Sequence, residues 1–196
     1  MKLVLASSNP GKLREIRSLL QMDVIAQTEL GIADADEPHS TFLENALAKA
    51  RHASRAARLP ALADDSGLCV EALGGEPGVH SAYYAGREGT REQRDARNNA
   101  RLLRELGSER AAYYVCVMVL LLHAEDPRPL VAEGIWRGEI ARAPRGSNGF
   151  GYDPLFYLPA LERTAAELDP EHKNRVSHRG IALQKLLALL RESNAP

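Results

Sequence analysis

The sequence has few cysteines, no surplus of one charge and no long apolar run. Its two cysteines, Cys69 and Cys116, lie far apart within apolar stretches, which is typical of buried free thiols. Lysine and arginine number 25 against 26 acidic residues, so the net charge of −1 predicts no bulk attraction to nucleic acid. The apolar run around residues 115–122 is too short to cross a bilayer, and residues 1–8 lack the pattern of a secretory signal. These absences predict a soluble, cytoplasmic protein with no membrane contact and no stable nucleic-acid partner.

Helical and strand patterns alternate in the first half of the chain, and a hairpin follows. Asn9 is suited to cap a helix that begins at Pro10, and Thr90 with Gln93 has the spacing of a capping box. Further helices are predicted over residues 41–57 and 90–106 and from Ser177 onward. Strands are predicted over residues 2–6, 24–26, 62–64, 67–72, 113–122 and 131–140. The pattern predicts one α/β domain over residues 1–196 with a mixed sheet, and that length leaves room for two lobes.

The segment Ser7-Ser8-Asn9-Pro10-Gly11-Lys12 joins a predicted strand to a helix N-terminus. Such a junction attracts anions because its backbone N–H groups have no partner within the helix. Lys12 falls in the first helical turn, where the helix dipole disfavours a cation, and a bound anion would remove that conflict. The spacing is not that of a Walker A loop. A capped helix with a solvated lysine is the alternative interpretation.

Two adjacent aspartates, Asp64 and Asp65, interrupt an apolar passage over residues 62–72. Neighbouring residues of an extended chain point to opposite faces, so the two carboxylates are expected to do different work. One is expected to face a site while the other anchors the turn or binds metal, since a buried carboxylate needs a cation or several donors. An ordinary Asp-Ser-Gly turn is the alternative.

A second acidic group lies upstream, where Asp34, Asp36 and Glu37 crowd one predicted loop. Carboxylates suit Mg²⁺, which takes one or two of them together with substrate phosphate. A solvated acidic loop explains the same residues.

The helix predicted over residues 41–57 carries a polar face. Thr41 and Glu44 have capping-box spacing, so Glu44 is interpreted as structural first and as a ligand second. Asn45 and Lys49 follow Thr41 at intervals of four and share its face, which makes them candidates to reach a site. A solvated polar face is the alternative.

Two later segments combine groups that suit a nucleotide. The glycine-rich stretch over residues 146–154 holds Phe150 and Tyr152, either of which is a candidate to stack on a base, and Asp153, whose carboxylate is a candidate to bind a base edge. Near the C-terminus, Ser177 is expected to open a helix with His178 and Arg179 in its first turn, where cations again oppose the dipole. A packed β-turn and surface side chains are the respective alternatives. A triphosphate with Mg²⁺ and a base would use all of these groups together.

Six ordered motifs resemble those of the inosine triphosphate pyrophosphatase family. They are Ser8-Asn9-Pro10-Gly11-Lys12, Thr41-Phe42-Leu43-Glu44-Asn45-Ala46, Ala63-Asp64-Asp65-Ser66-Gly67-Leu68, Gly75-Glu76-Pro77-Gly78-Val79-His80-Ser81-Ala82, Gly149-Phe150-Gly151-Tyr152-Asp153-Pro154 and Ser177-His178-Arg179. The resemblance spans nearly the whole chain. It implies an elongated α/β fold with a long mixed sheet flanked by helices, and two lobes with the active site in the cleft between them. It also implies a homodimeric, Mg²⁺-dependent enzyme that hydrolyses deaminated purine triphosphates (ITP, dITP, XTP) to the monophosphate and pyrophosphate, and so cleanses the nucleotide pool.

The resemblance also implies roles for individual residues. Asp65 would be the proton acceptor that activates water and would lie near the metal, with Asp64 in support. Lys49 would help to bind phosphates, and either Glu37 or Asp36 would be the second metal carboxylate. The phosphate-binding residues would be Ser7, Ser8, Asn9, Pro10, Gly11 and Lys12. The residues around the nucleotide would be Ser66, Phe150, Gly151, Tyr152, Asp153, Lys173, His178 and Arg179. The chain departs from the family at Tyr83, where an arginine is frequent, so the resemblance implies no role of that arginine here.

Three rival functions fit less of the sequence. A pyrophosphatase for modified pyrimidine triphosphates would not explain the ordered motifs, and a non-catalytic nucleotide-binding module has no use for the pair Asp64 and Asp65. A nucleic-acid binder would need a basic stripe and more aromatic residues.

Overall fold

The computed structural model describes residues 2–20 and 22–193, and its strands form a mixed sheet flanked by helices. The helices are α1 (Pro10–Leu19), α2 (Phe42–Ala57), α3 (Arg91–Glu105), α4 (Pro170–Val176) and α5 (His178–Ser193). The strands are β1 (Lys2–Leu5), β2 (Asp23–Ala26), β3 (Ala61–Val70), β4 (Ala111–Leu121), β5 (Leu130–Ile140), β6 (Phe156–Leu158) and β7 (Arg163–Thr164).

Within the described residues the seven strands form one sheet in the order β2-β1-β3-β4-β5-β6-β7. Strand β1 runs parallel to β2 and to β3, whereas β6 runs antiparallel to β5 and to β7. The predicted mixed α/β sheet is therefore confirmed. None of the helices in the described part of the chain is long and apolar enough to span a membrane.

The acidic pair lies inside a strand, and the turn predicted there is wrong. Strand β3 runs without a break through Asp64, Asp65, Ser66 and Gly67, where two short strands around a turn were expected. Strand β3 pairs with β1 only at Ala61 and Leu62, and β4 is its neighbour on the other side. A strand that is remote in sequence therefore supplies partners that a turn would have to supply locally. The extended backbone keeps the expected alternation of side chains through the pair.

Three short elements were not predicted from the sequence. Strands β6 and β7 have three and two residues, too few to show an alternating pattern. Helix α4 has seven residues, with Asp169 as its N-cap and Pro170 at its first position. It carries Lys173, which therefore lies on a helix of its own, before the one that begins at His178.

The chain divides into two compact units, each with its own hydrophobic core. The first unit comprises residues 1–65, 116–134 and 178–196. Its core is built from apolar residues of the strands together with those of α1 and α5. The main contributors are Leu3, Leu5, Ile16, Leu62, Met118, Leu183 and Leu186.

The second unit comprises residues 66–115 and 135–177. Its core is centred on three aromatic rings. The Phe156 ring lies with its centroid 4.6 Å from that of Tyr114 and 5.1 Å from that of Trp136. Buried Leu68, Leu102 and Leu155 belong to the same cluster.

Helix caps hold the start of α2 and α3 as the sequence predicts. Thr41 Oγ1 accepts the Glu44 N–H at 3.2 Å, and the Thr41 hydroxyl donates to the Glu44 carboxylate at 2.6 Å. The exposed Glu44 therefore stabilises the end of α2, which agrees with its interpretation as structural. Thr90 and Gln93 form the predicted capping box of α3. Cys69 and Cys116 are both buried and free.

Candidate active site

In the first unit, the Asp64 carboxylate is wholly buried between two cations. Lys12 Nζ lies 2.9 Å from Asp64 Oδ2, and Arg179 Nε lies 3.5 Å from the same oxygen. Burial by itself raises the pKa of Asp64, but the charges of Lys12, Arg179 and Lys49 outweigh it and hold that pKa below its ordinary value. Asp64 therefore remains an ion under all ordinary conditions.

Arg179 is itself held from a second side. Its side chain is only 2% exposed, and its Nη1 donates to the Glu15 carboxylate of helix α1. Burial lowers the pKa of Arg179, but the charges of Glu15 and Asp64 raise that pKa by more than burial lowers it. The guanidinium therefore stays charged. Glu15, which the sequence did not single out, thus connects α1 to Arg179 in the first turn of α5, and Arg179 in turn contacts Asp64.

The neighbouring carboxylate, that of Asp65, uses a different cation. Asp65 Oδ1 lies 2.8 Å from Lys49 Nζ, and the same ammonium lies 2.6 Å from Glu37 Oε1. Burial raises the pKa of Asp65 above its ordinary value, against the opposing charge of Lys49. Burial also lowers the pKa of Lys49, yet Asp65, Asp64 and Glu37 together raise it. The Asp65 carboxylate is thus more basic than an ordinary aspartate.

Asn45 holds the acidic loop close to Asp65. The residue is 2% exposed, and its side-chain amide makes a matched pair of hydrogen bonds with the His39 backbone. Asn45 Oδ1 accepts the His39 N–H at 3.1 Å, and Asn45 Nδ2 donates to the His39 carbonyl at 3.1 Å. The same Nδ2 lies 3.4 Å from Asp65 Oδ2. Asn45 therefore ties the backbone two residues after Glu37 to the helix that carries Lys49.

The strand-to-helix junction uses its own polar groups in an internal network. Asn9 Oδ1 accepts the N–H groups of Gly11 and Lys12, at 2.9 and 3.2 Å, and Ser7 Oγ accepts the Asn9 N–H at 3.2 Å. The exposed Ser8 hydroxyl donates to Asp34 at 2.6 Å. Pro10 is exposed at the first helical position. The anion that faces Lys12 in this structure is the carboxylate of Asp64.

The carboxylates of Asp65 and Glu37 suit a divalent cation. Both approach one positive centre, the Lys49 ammonium, so both are aimed at a single point. Among the residues that the structure describes, no three His, Cys, Asp or Glu side chains form a metal cluster. One or two carboxylates are the usual protein contribution to Mg²⁺, which takes its other ligands from water and phosphate. Asp36 is exposed on the same loop.

In the second unit, the predicted aromatic loop is organised by the buried carboxylate of Asp153. Asp153 Oδ2 accepts the Phe150 N–H at 2.8 Å and lies 2.6 Å from Lys173 Nζ, which is also buried. Lys173 Nζ lies 4.9 Å from the centroid of the half-buried Phe150 ring. Two residues of the loop and one of helix α4 thus bring together one carboxylate, one ammonium and one aromatic face.

The stacking role expected for Tyr152 needs correction. The residue is 3% exposed and belongs to the core cluster, and its hydroxyl donates to the Ser81 carbonyl at 2.9 Å. A side chain packed on all sides offers no face to a base, so Phe150 remains as the stacking candidate. Ser66 is half-buried directly after Asp65 on β3, and Gly151 is half-buried in the loop.

A glycine on β5 lets the first turn of α5 approach the sheet. A Cβ atom at Gly134 would lie 2.0 Å from the His178 carbonyl oxygen and 2.6 Å from the Ala182 nitrogen. These are backbone atoms, which cannot swing away as a side chain would. The position of buried His178 and Arg179 therefore depends on the missing side chain at residue 134.

At the position where the sequence departs from the family pattern, other cations surround the substituted residue. The Arg87 and Arg94 guanidinium carbons lie 4.3 and 5.5 Å from the centroid of the Tyr83 ring. Positive charge is thus present beside Tyr83 without an arginine at that position.

Comparison with known proteins identifies clear relatives. The model of the Ham1 family matches residues 3–189. A dITP/XTP pyrophosphatase of Burkholderia pseudomallei is 62% identical over 196 residues, which cover 97% of this chain and 94% of that protein. A dITP/XTP pyrophosphatase of Ralstonia nicotianae is 61% identical over 195 residues, which cover 97% of this chain and 96% of that protein.

Solved structures show the same fold. A HAM1 protein from Coxiella burnetii superimposes with a TM-score of 0.89 at 50% identity, covering 98% of this chain and 99% of the other. The Staphylococcus aureus Ham1 protein gives a TM-score of 0.86 at 40% identity, covering 99% of this chain and all of the other, at 100%.

Proposed function

Because the chain belongs to the Ham1 family, we propose that it hydrolyses deaminated purine nucleoside triphosphates (dITP, ITP and XTP) to the monophosphate and pyrophosphate. The names of its relatives support this substrate class. The observation that carries the proposal is the division between adjacent carboxylates, in which Asp64 is neutralised by Lys12 and Arg179 while Asp65 is aimed with Glu37 at one cation.

Asp65 and Glu37 are the residues that would hold Mg²⁺ with the substrate phosphates. Glu37 is favoured over Asp36 because its carboxylate shares the Lys49 ammonium with Asp65. When bound, Mg²⁺ supplies charge stabilisation for the phosphoryl oxygens. Lys49 would then be released from the carboxylates and would be available to the phosphates.

The chemical step requires a water molecule to lose a proton as it attacks phosphorus. Asp65 is the proposed acceptor, since its burial makes it more basic than an ordinary aspartate. Lys12, at the N-terminus of α1, and Lys49 would offset the charge that grows on the leaving pyrophosphate. Asp64 would position Lys12 and Arg179. Ser7, Ser8, Asn9, Pro10 and Gly11 would line the path of the phosphates.

The base is assigned to the aromatic loop. Phe150 would stack on the purine, with Gly151 and Asp153 forming the loop and Lys173 presenting an ammonium beside the ring. A donor of this kind favours the 6-oxo group of hypoxanthine and xanthine over the 6-amino group of adenine. Ser66, His178 and Arg179 complete the proposed nucleotide contacts. A homodimer in the cytoplasm, as the sequence resemblance implies, is part of the same proposal.

The identity of the products tests this function. Phosphorus NMR of a dITP reaction should show dIMP and pyrophosphate with Mg²⁺, and unchanged dITP when EDTA removes the metal. Release of inorganic phosphate with dIDP would overturn the proposed cleavage site, and no product with any divalent cation would overturn the activity.

A further inference from the structure

Helix α3 holds the aromatic loop through both backbone groups of Gly151, the N–H and the carbonyl. The Gly151 N–H donates to Asp95 Oδ2 at 2.9 Å, and the Gly151 carbonyl accepts from Asn99 Nδ2 at 2.8 Å. Gly151 has φ of +65° and no atoms within 4 Å of where a Cβ would be. A residue so free in conformation has no side chain to anchor it, so its conformation depends on these two backbone contacts.

A second cation from the same helix lies at the Phe150 ring. The Arg91 guanidinium carbon is 4.5 Å from the ring centroid, within the range of a cation–π contact. Arg91 Nε lies 3.8 Å from Asp95 Oδ2, the oxygen that accepts the Gly151 N–H. The arrangement repeats that of Asp153, whose carboxylate also accepts one backbone N–H of the loop and binds one cation over the same ring.

The carboxylates of Asp153 and Asp95 thus accept the consecutive N–H groups of Phe150 and Gly151. Their cationic partners place one ammonium and one guanidinium at the Phe150 ring. A base that stacks on Phe150 would meet both groups. A guanidinium presents several N–H donors in a plane and no acceptor, so it matches the oxo groups of a base and opposes amino groups.

We propose that helix α3 forms part of the base-recognition site, with Arg91 as a base-contacting specificity residue and with Asp95 and Asn99 as positioning residues for the aromatic loop. The inference rests on the proposed function, because it extends the base site assigned to Phe150. It adds three residues that none of the six sequence motifs contains.

Ligands that carry only part of the substrate separate this role from general stability. IMP has the base without the leaving phosphates, and pyrophosphate has no base. Arg91→Gln and Asn99→Ala should each weaken IMP binding about tenfold, as expected for loss of a contact to a charged or buried group, and should leave pyrophosphate binding unchanged. Asp95→Asn keeps an acceptor for the Gly151 N–H, so it should bind IMP more tightly than Asp95→Ala does.

Arg104→Ala, at the exposed far end of α3, is the matched control and should bind both ligands like the unaltered protein. Calorimetric titration with IMP and with pyrophosphate, both with Mg²⁺, provides the binding constants. Unchanged IMP affinity in folded Arg91→Gln, or equal weakening of both ligands, would overturn the inference. Arg91 keeps 27% of its side chain exposed, so its variant tests the proposal even if Asn99→Ala does not fold.

Turnover of dITP distinguishes failure of the inference from failure of the function. In the active enzyme, Arg91→Gln should raise KM for dITP about tenfold while kcat changes less than twofold. If the unaltered protein bound IMP but released no pyrophosphate from dITP, the proposed function would be wrong, and the proposed contact of α3 with the base would not be affected. If the unaltered protein bound no IMP, the inference would fall.

Discussion

Asp64 and Asp65 are adjacent on strand β3, yet their carboxylates bind different cations. Asp64 pairs with Lys12 and Arg179, whereas Asp65 pairs with Lys49. Burial and charge move the pKa of the first carboxyl down and that of the second up. One carboxylate is thereby a permanent ion that organises cations, and its neighbour has the basicity that a proton acceptor needs.

Asp65→Asn should abolish turnover without unfolding the protein. Loss of a general base costs on the order of 10²–10⁴-fold in rate. The raised pKa means that burial makes the ionised form of Asp65 costly, so a neutral amide should not lower the melting temperature. Steady-state kinetics with dITP and a thermal melt check both parts.

Glu44→Gln is the matched control for this variant, because Glu44 is an acid of the same motif set that caps α2. It should keep kcat and lose at most about 1 kcal/mol of stability. Near-native activity of Asp65→Asn would remove the assignment of the proton acceptor.

Asp64→Asn should destabilise the fold in a pH-dependent way. Removing one partner of a buried ion pair costs about 3–5 kcal/mol near pH 7. Because the folded pKa lies below the ordinary 3.8, this contribution is complete well above that pH and shrinks by up to about 1.4 kcal/mol for each pH unit below it. Urea unfolding at pH 7, 4 and 3 measures the difference, with exposed Asp23→Asn as the neutral control. A difference that grows in acid would contradict the ion-pair assignment.

Gly134→Ala should reduce activity at a distance from the substrate. The added methyl group would overlap the His178 carbonyl and the Ala182 nitrogen, so the start of α5 and Arg179 must shift. Because these atoms are backbone, the resulting displacement of Arg179 should lower kcat/KM at least about tenfold. Gly107→Ala, where nothing lies within 4 Å, should be silent in the same assay. Equal activity of the two variants would show that α5 can move without consequence.

Asn45→Ala should weaken the metal site more than the fold. Without the paired hydrogen bonds to His39, the loop that carries Glu37 loses its attachment beside Asp65. The Mg²⁺ concentration for half-maximal rate should rise about tenfold, which corresponds to about 1.4 kcal/mol of positioning. Arg55→Ala, on the exposed face of the same helix, should leave that concentration unchanged. An unaltered Mg²⁺ requirement in Asn45→Ala would show that the loop is held by other contacts.

Local features of the fold followed from the sequence because their causes are local. The caps at Asn9, Thr41 and Thr90 depend on residues two or three positions away, and the structure confirms all three. The turn expected at Ser66 and Gly67 was wrong because β3 continues through both residues beside β4, a strand that is remote in sequence.

The site was harder to predict where its contacts are long-range. Glu15 and Arg179 are separated by 164 residues, so no spacing rule connects them. Tyr152 and Phe150 have similar sequence surroundings, yet one packs in the core and the other is half-buried beside two cations. Asp95 and Asn99 approach Gly151 only through tertiary packing, since their residue numbers differ from that of Gly151 by 56 and 52.

The most direct test of the account is the rate of pyrophosphate release from dITP, XTP, dATP and dGTP at equal concentrations with Mg²⁺. A site that reads oxo groups through buried donors predicts kcat/KM for dITP and XTP about a hundredfold or more above that for dATP. Equal kcat/KM for dITP and dATP would contradict the base assignment. Pyrophosphate release from none of the four would contradict the proposed activity itself.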